Sequence, residues 1–500
     1  MYGRVKTVCF VGLNAYLVDV EVFLANGLPK FEVVGLASKA VQESKERVVA
    51  AIKRSGYKFP TGKITVNLAP TDIPKNGGSY DLPIAAAILI ASGQIPEADD
   101  SLFWGGLSLS GRATPTRGAI AVSEAAGKFA VSRIFIPELN APEAGIVAGI
   151  KIKPVKSLAA LIEHFAGKEI PDYRIVAGNT NVQPEPEYDF ADVKGQYAAK
   201  RALEIAAAGD HNILLSGSPG SGKTFLARCL SGILPEMDFA RKLETSKIYS
   251  LAGLLPEQGI VSSRPFRNPH HTSSQIALIG GGTNPRPGEV TLAHNGVLFL
   301  DEFSEFPSMC LEALRQPLED RVVHIARAAG VVSFPASFML VAATNPCRCG
   351  YYGDSEKQCV CSLQELERYQ RKLSGPILDR IELQIKADRV KQQELSAVEP
   401  AEQSANIRKR VEQARAFMQE RFVKHGLKYE TNTGLKPKQL QISAGAEQTA
   451  VKLLLSAVEK LSLSVRSYYK IMKVARTIAD LEASTVLKEE HVAEALSYRL

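Results

Sequence analysis

The sequence predicts a multidomain α/β protein: an α+β N-terminal region, an α/β core and a helical C-terminal region. Three observations predict it. At 500 residues the chain is too long for one ordinary core. Short apolar runs at 213–215, 297–300 and 338–343 read as buried strands, and the first passes through a glycine-rich loop into a helix-periodic segment. The final stretch, 391–500, is abundant in Ala, Leu, Lys and Glu and helical in pattern.

The elements follow in order. Residues 16–24 alternate in places as a strand does, Asn26-Gly27-Leu28-Pro29 is a turn signal, and 31–36 is another strand. Ser38 caps a helix expected to run to about Ser55, with Val41, Val48, Val49 and Ile52 on one face. Residues 63–68 read as a further strand and 82–91 as a buried helix. Prolines, Asn and Gly without periodicity mark 169–190 as an extended linker. Asp192-Val193-Lys194-Gly195-Gln196 then opens a helical pattern through Ala198, Leu203 and Ala207. The expected domains are therefore 1–168, the core at 191–390 and the helical domain at 391–500.

Composition narrows the class. A hydrophobic fraction of 45% and a charged fraction of 23% belong to a folded globular protein. No run reaches the roughly 18 apolar residues that span a bilayer, and the start reads as a strand instead of a signal peptide. The net charge of +7 permits a nucleic-acid partner without demanding one. Cys9, Cys229 and Cys310 stand alone in apolar surroundings and read as reduced core residues. The expected location is the cytoplasm, with no membrane partner.

Gly217-Ser218-Pro219-Gly220-Ser221-Gly222-Lys223-Thr224 spells G-x-x-x-x-G-K-T between strand and helix. Its glycines let backbone N–H groups turn inward round phosphates, and the helix N-terminus adds its positive dipole end. Lys223 is expected at the β/γ-phosphates of a nucleoside triphosphate and the Thr224 hydroxyl on Mg²⁺. Asp301 and Glu302 close the apolar run 297–300; Asp301 would hold the Mg²⁺ shell and Glu302 polarise the attacking water. Asn345 ends the next apolar run, and Asn345-Pro346 is by itself a turn signal. Residues 322–334 alternate, turn through small residues and alternate again, a hairpin with Arg327 near its tip. Cys347, Cys349, Cys359 and Cys361 form two C-x-C pairs, a ligand set for one tetrahedral Zn²⁺ with disulfides or free thiols as rivals. Arg348 makes the cysteine loop at 347–361 a candidate DNA contact as well.

Residues 69–85 and 111–118 resemble the nucleophile region and the approach to the catalytic lysine of Lon-type protease domains, which have a ribosomal S5 domain 2-like fold. Ser79 falls at the nucleophile and Ile120 at the lysine. Isoleucine cannot activate a serine, so the resemblance implies a Lon-like domain without its catalytic dyad. The segment 192–196, the phosphate loop, the acid pair and Asn345, in that order, resemble AAA+ ATPases. That resemblance implies that 192–196 packs near adenine and that Asn345 touches the γ-phosphate or its water. It makes Arg380, in Pro376-Ile377-Leu378-Asp379-Arg380-Ile381, the finger that completes a neighbour's site. Arg466 would open the sensor helix of the lid, with Arg476 the weaker candidate. A surface Asp379–Arg380 pair and a solvated Arg466 are the plainer readings.

Residues 264–273, 280–289 and 292–296 resemble the magnesium-chelatase-like AAA+ group, with an insert in its second helix and a hairpin before the asparagine. Over nearly its whole length the chain is similar to the YifB/ComM family of bacterial proteins. This implies a homo-hexameric ATPase ring and helicase acting on single-stranded, double-stranded or branched DNA. Its setting would be branch migration during recombination in natural transformation, beside the recombinase machinery, with Arg327 gripping DNA in the pore. A chelatase motor subunit and a Lon-like protease are the alternatives.

Overall fold

The computed structural model describes residues 1–174, 187–257, 259–282, 285–327, 330–354, 356–372, 375–389 and 401–499. The middle of the expected linker (175–186), the hairpin tip (328–329) and the start of the expected helical domain (391–400) lie outside the described residues. The chain divides into two compact units. One is Met1–Val182 with Phe239–Ser262 and Ala326–Ser333; the other is Gln183–Asp238, Ser263–Ile325 and Phe334–Leu500.

The first unit holds a seven-stranded mixed sheet. Its strands are β1 (Tyr2–Val11), β2 (Asn14–Ala25), β3 (Lys30–Val34), β4 (Lys63–Ala69), β5 (Ser101–Phe103), β6 (Arg133–Pro137) and β7 (Lys151–Val155). Their order is β3-β4-β2-β1-β5-β6-β7. β2 pairs antiparallel with β1 and β4, whereas β5, β6 and β7 continue from β1 in parallel. The helix Asp81–Ala91 is buried along its whole length and packs on β1 and β2, as its apolar run from Leu82 requires, and its first residue, Asp81, pairs with Arg47 at 2.7 Å. The single helix expected from Ser38 is two, Lys39–Gln42 and Ser44–Arg54. The Ser44 hydroxyl donates to the Val41 carbonyl at 2.6 Å and so competes with the helical ladder at the break. The helix Phe239–Ala252 also belongs to this unit: Lys247 pairs with Glu124 at 2.6 Å.

The second unit is built on five parallel strands: β8 (Ile213–Ser216), β9 (Phe266–Arg267), β10 (Val297–Leu300), β13 (Met339–Thr344) and β14 (Leu383–Lys386). They lie in the order β9-β10-β13-β8-β14. The expected hairpin is present as β11 (Val322–Arg327) paired with β12 (Gly330–Pro335), and Arg327 ends β11. Because the sheet is parallel, the carboxyl ends of its strands share one edge. Ser216 pairs with Thr344 and Leu300 with Ala342. Loops leaving that edge build the ligand site of an open α/β sheet.

In the C-terminal region the helix Val465–Leu481 packs on both Ser404–Lys424 and Glu489–Ser497, and the first two of these three also pack on Tyr197–Gly209. Their joint is polar and buried. Asp480 accepts from Arg421 at 2.7 Å and from Arg476 at 2.9 Å. The Thr477 hydroxyl lies 2.9 Å from His211 Nε2. No helix among the described residues is long and apolar enough to cross a membrane.

Candidate functional site

β8 delivers the phosphate loop to the carboxyl edge of the sheet, and the helix Lys223–Ile233 leaves it. The backbone is tightly seated there: a Cβ on Gly217 would stand 2.2 Å from the Ala387 carbonyl oxygen. Lys223 Nζ donates to the carbonyls of Gly217 (2.7 Å) and Ser218 (3.0 Å) and to Asn345 Oδ1 (3.3 Å). Burial lowers the Lys223 pKa, opposed by the Asp301 carboxylate. Gln196 Nε2 reaches the Ser221 carbonyl at 3.0 Å, so the 192–196 segment meets this loop.

Thr224 Oγ1 donates to Asp301 Oδ2 at 2.8 Å, and Asp301 Oδ1 accepts the Glu302 N–H at 2.9 Å. Hydroxyl and carboxylate oxygens converge on one spot, which is the hard-oxygen donor set that Mg²⁺ takes. Glu302 stands at φ 50°, a conformation that costs energy for a residue with a side chain and turns the chain sharply after Asp301. Its carboxylate lies 3.0 Å from His271 Nδ1. Tyr369 ties two strand ends together: its hydroxyl lies 2.6 Å from Ser304 Oγ and donates to the Asn345 carbonyl at 3.1 Å.

His271 and Tyr369 are the site residues that sequence reasoning missed. His271 lies in a stretch whose signal is a family likeness, and the histidine pair His270-His271 between the phosphate loop and the acid pair is its local mark. Nothing marks Tyr369 apart from any half-apolar residue on an amphipathic helix.

Arg380 and Arg466 form a second group. Both guanidiniums pair with Glu319 Oε1, at 2.7 Å and 3.1 Å. Arg380 is buried and Arg466 half exposed. Arg476 is not part of either group: it is wholly buried, with its donors on Asp480 and on the Ala444 and Ser484 carbonyls.

The cysteine loop follows Asn345 directly. The four sulfurs lie within 4.8 Å of one another. Cys347 is 3.3 Å from Cys349 and 3.7 Å from Cys359, and Cys349 is 3.5 Å from Cys359. Thiolates about 2.3 Å from a tetrahedral ion stand roughly 3.8 Å apart, so this set fits a thiolate-bound metal such as Zn²⁺. A disulfide would need about 2.0 Å. Backbone N–H groups of Tyr351 and Val360 lower the Cys349 thiol, while the neighbouring sulfurs raise Cys359 and Cys361, as crowding of four thiols into one site without a cation requires. Arg348 is exposed on this loop.

In the first unit, Ser79 is buried just ahead of the helix Asp81–Ala91. Ile120 is fully buried in the helix Ala119–Lys128. The position expected from the Lon resemblance to match the lysine thus holds an apolar, inaccessible side chain.

Known proteins match along the whole length. "Subunit ChlI of Mg-chelatase" matches residues 20–140, "Magnesium chelatase, subunit ChlI" residues 189–395, and "Magnesium chelatase, subunit ChlI C-terminal" residues 401–499. The chain is 41% identical over 495 residues to competence protein ComM of Haemophilus influenzae, across 98% of this chain and 96% of that protein. It is 39% identical over 506 residues to the YifB protein of Escherichia coli, across 99% and 96%. Lon protease 2 of Bacillus subtilis is 26% identical over 196 residues, 36% of each chain.

Proposed function

Because the chain belongs to the YifB/ComM family of magnesium-chelatase-like AAA+ ATPases, we propose that it is a ring-forming, ATP-driven motor on DNA. The observation that carries the reading is the convergence of Lys223, Thr224, Asp301 and Asn345 at the sheet edge. Lys223 exchanges the carbonyls of Gly217 and Ser218 for β/γ-phosphate oxygens, which are stronger acceptors for an ammonium. Thr224 and Asp301 would hold Mg²⁺, which would supply positive charge beside the phosphates. Glu302 orients the attacking water and Asn345 contacts the γ-phosphate. Arg380 of a neighbouring subunit exchanges Glu319 for that phosphate, which requires an oligomer, here a homo-hexamer. Arg466 reads the nucleotide from the lid.

In this reading, 1–168 is a Lon-like domain without a protease dyad, 169–190 a linker, 191–390 the motor core and 391–500 the lid. Closure of the lid moves the hairpin and its Arg327 along single-stranded, double-stranded or branched DNA. Arg348 on the Zn²⁺-bound cysteine loop adds a second phosphate contact. The Haemophilus relative is named a competence protein, and from that name comes the proposed setting. The motor would migrate branches in homologous recombination during natural transformation, in the cytoplasm and beside the recombinase machinery.

The test measures ATPase rate with and without single-stranded DNA, with molecular mass in parallel, and migration of three- and four-stranded junctions. Lys223→Ala abolishes migration. A wild-type protein that leaves such junctions untouched across a range of salt ends the motor reading. A second reading, a chelatase motor subunit that remodels a partner protein, is favoured by the magnesium-chelatase matches over all three regions. ATPase stimulation by a chelatase partner and not by DNA would decide for it.

A further inference from the structure

The loop between the two C-x-C pairs does more than hold four thiols: it is docked on the phosphate loop. Gly350 lies at φ 86°, and a Cβ there would stand 2.6 Å from Pro219 Cδ and 2.7 Å from Cγ. The cysteine-loop backbone therefore rests on the proline ring with no space for a side chain. Asp354 makes the second contact. Its Oδ2 accepts from the Ser218 hydroxyl, and its Oδ1 accepts from the backbone N–H groups of Glu356 (2.9 Å) and Lys357 (3.0 Å). Arg389 Nε stands 3.5 Å from the same carboxylate, whose side chain is only 3% exposed. One carboxylate thus joins the turn between the cysteine pairs to Ser218.

This loop has no core of its own. Among its described residues only Cys347, Gly350 and the Asp354 side chain are buried; Tyr352, Glu356, Lys357, Gln358 and Val360 are exposed. A segment without apolar burial holds one conformation only if something else fixes it; Lys357 and Arg389 lie over the Tyr351 ring and Lys386 donates to the Gly353 carbonyl, but these are exposed polar contacts, and the four convergent sulfurs are the strongest means the loop has. We propose that a thiolate-bound metal at the four cysteines sets the position of Asp354 and Gly350, and that these position Ser218 and Pro219 for nucleotide binding. Asp354 is a positioning residue and does not touch substrate. Loss of the metal frees the loop, and the phosphate loop must then be ordered by the nucleotide itself, which lowers affinity without altering the reacting groups. The inference rests on the reading of 217–224 as the nucleotide site.

The experiment uses the full chain and reads three quantities: metal content by elemental mass spectrometry, Kd for the fluorescent analogue mant-ATP, and steady-state KM and kcat for ATP. Asp354→Ala is expected to keep the wild-type metal, to weaken mant-ATP binding at least fivefold and to raise KM similarly, with kcat within twofold. Asp354→Asn, which keeps an acceptor, recovers part of the affinity. Cys359→Ser with Cys361→Ser loses the metal and reproduces the affinity loss of Asp354→Ala. Asp354→Ala that binds mant-ATP as wild type does overturns the inference, and so does wild-type protein without a stoichiometric thiol-held metal. Wild type that holds the metal but binds no mant-ATP overturns the nucleotide-site reading, and this inference with it.

Discussion

Arg466 and Arg476 lie on the same helix, yet the structure gives them opposite surroundings, and two substitutions separate the roles proposed for them. Arg476→Met keeps the volume and removes the guanidinium. Asp480 remains paired with Arg421 at 2.7 Å, but it loses Arg476 at 2.9 Å, and the carbonyls of Ala444 and Ser484 lose their donor. Removing one member of a buried ionic network costs about 3–5 kcal/mol, because the remaining groups stay buried without partners. With each kcal/mol worth a few degrees in a unit of this size, the melting transition should fall by roughly 5–15 °C. Arg466→Ala breaks a half-exposed pair with Glu319, and such pairs contribute about 0–1 kcal/mol. It should leave the transition in place while lowering ATP turnover at least tenfold. Thermal denaturation and ATPase assays on both variants decide the matter. Equal melting temperatures for Arg476→Met and wild type would refute the argument, and so would full turnover by Arg466→Ala.

His271→Ala removes the group 3.0 Å from the Glu302 carboxylate, and kcat should fall about tenfold with KM for ATP within twofold, as expected for an oriented acid or base; unchanged kcat would show that the pair has no role in turnover. Tyr369→Phe deletes the hydroxyl that joins Ser304 to the Asn345 carbonyl, and urea unfolding should show a loss of about 1–2 kcal/mol. His211 gives a pH dependence. Burial pushes its pKa down to about 4, so the folded chain stays neutral there while the unfolded chain takes up a proton near 6.5. Stability is therefore full above the unfolded value and falls as pH drops from about 6.5 to about 4, by roughly 3 kcal/mol in all. The urea midpoint at pH 7 and pH 5 measures it, and His211→Gln should flatten that part of the profile.

Much of this was legible because some chemistry is written locally. A phosphate loop needs its glycines, lysine and threonine within eight consecutive positions. The strand before it and the helix after it are equally local, and the structure has both where the sequence placed them. The apolar run at 82–91 could be read as a buried helix because burial on every side leaves no polar face. The hairpin could be read from its alternation, and the two C-x-C pairs from their spacing. The break at Ser44 could not, because a hydroxyl bonding back to Val41 and a hydroxyl facing water have the same sequence.

What stayed hidden are partners brought together by the fold across long stretches of chain. Glu319 collects Arg380 and Arg466 from elements far apart in sequence. Arg466 and Arg476 are both basic residues on one amphipathic helix, and no periodicity argument distinguishes the arginine at a half-exposed start from the one sealed against Asp480. The cysteine loop shows the same limit. Its spacing suggests a metal, but nothing in the sequence says what Gly350 and Asp354 touch. Only the parallel pairing of β8 with β13, which sets Ser216 beside Thr344, brings the loop after one strand against the loop after the other. Sheet order therefore turns two separate motifs into one assembly, and that order is the link between a metal-binding loop and a phosphate-binding one.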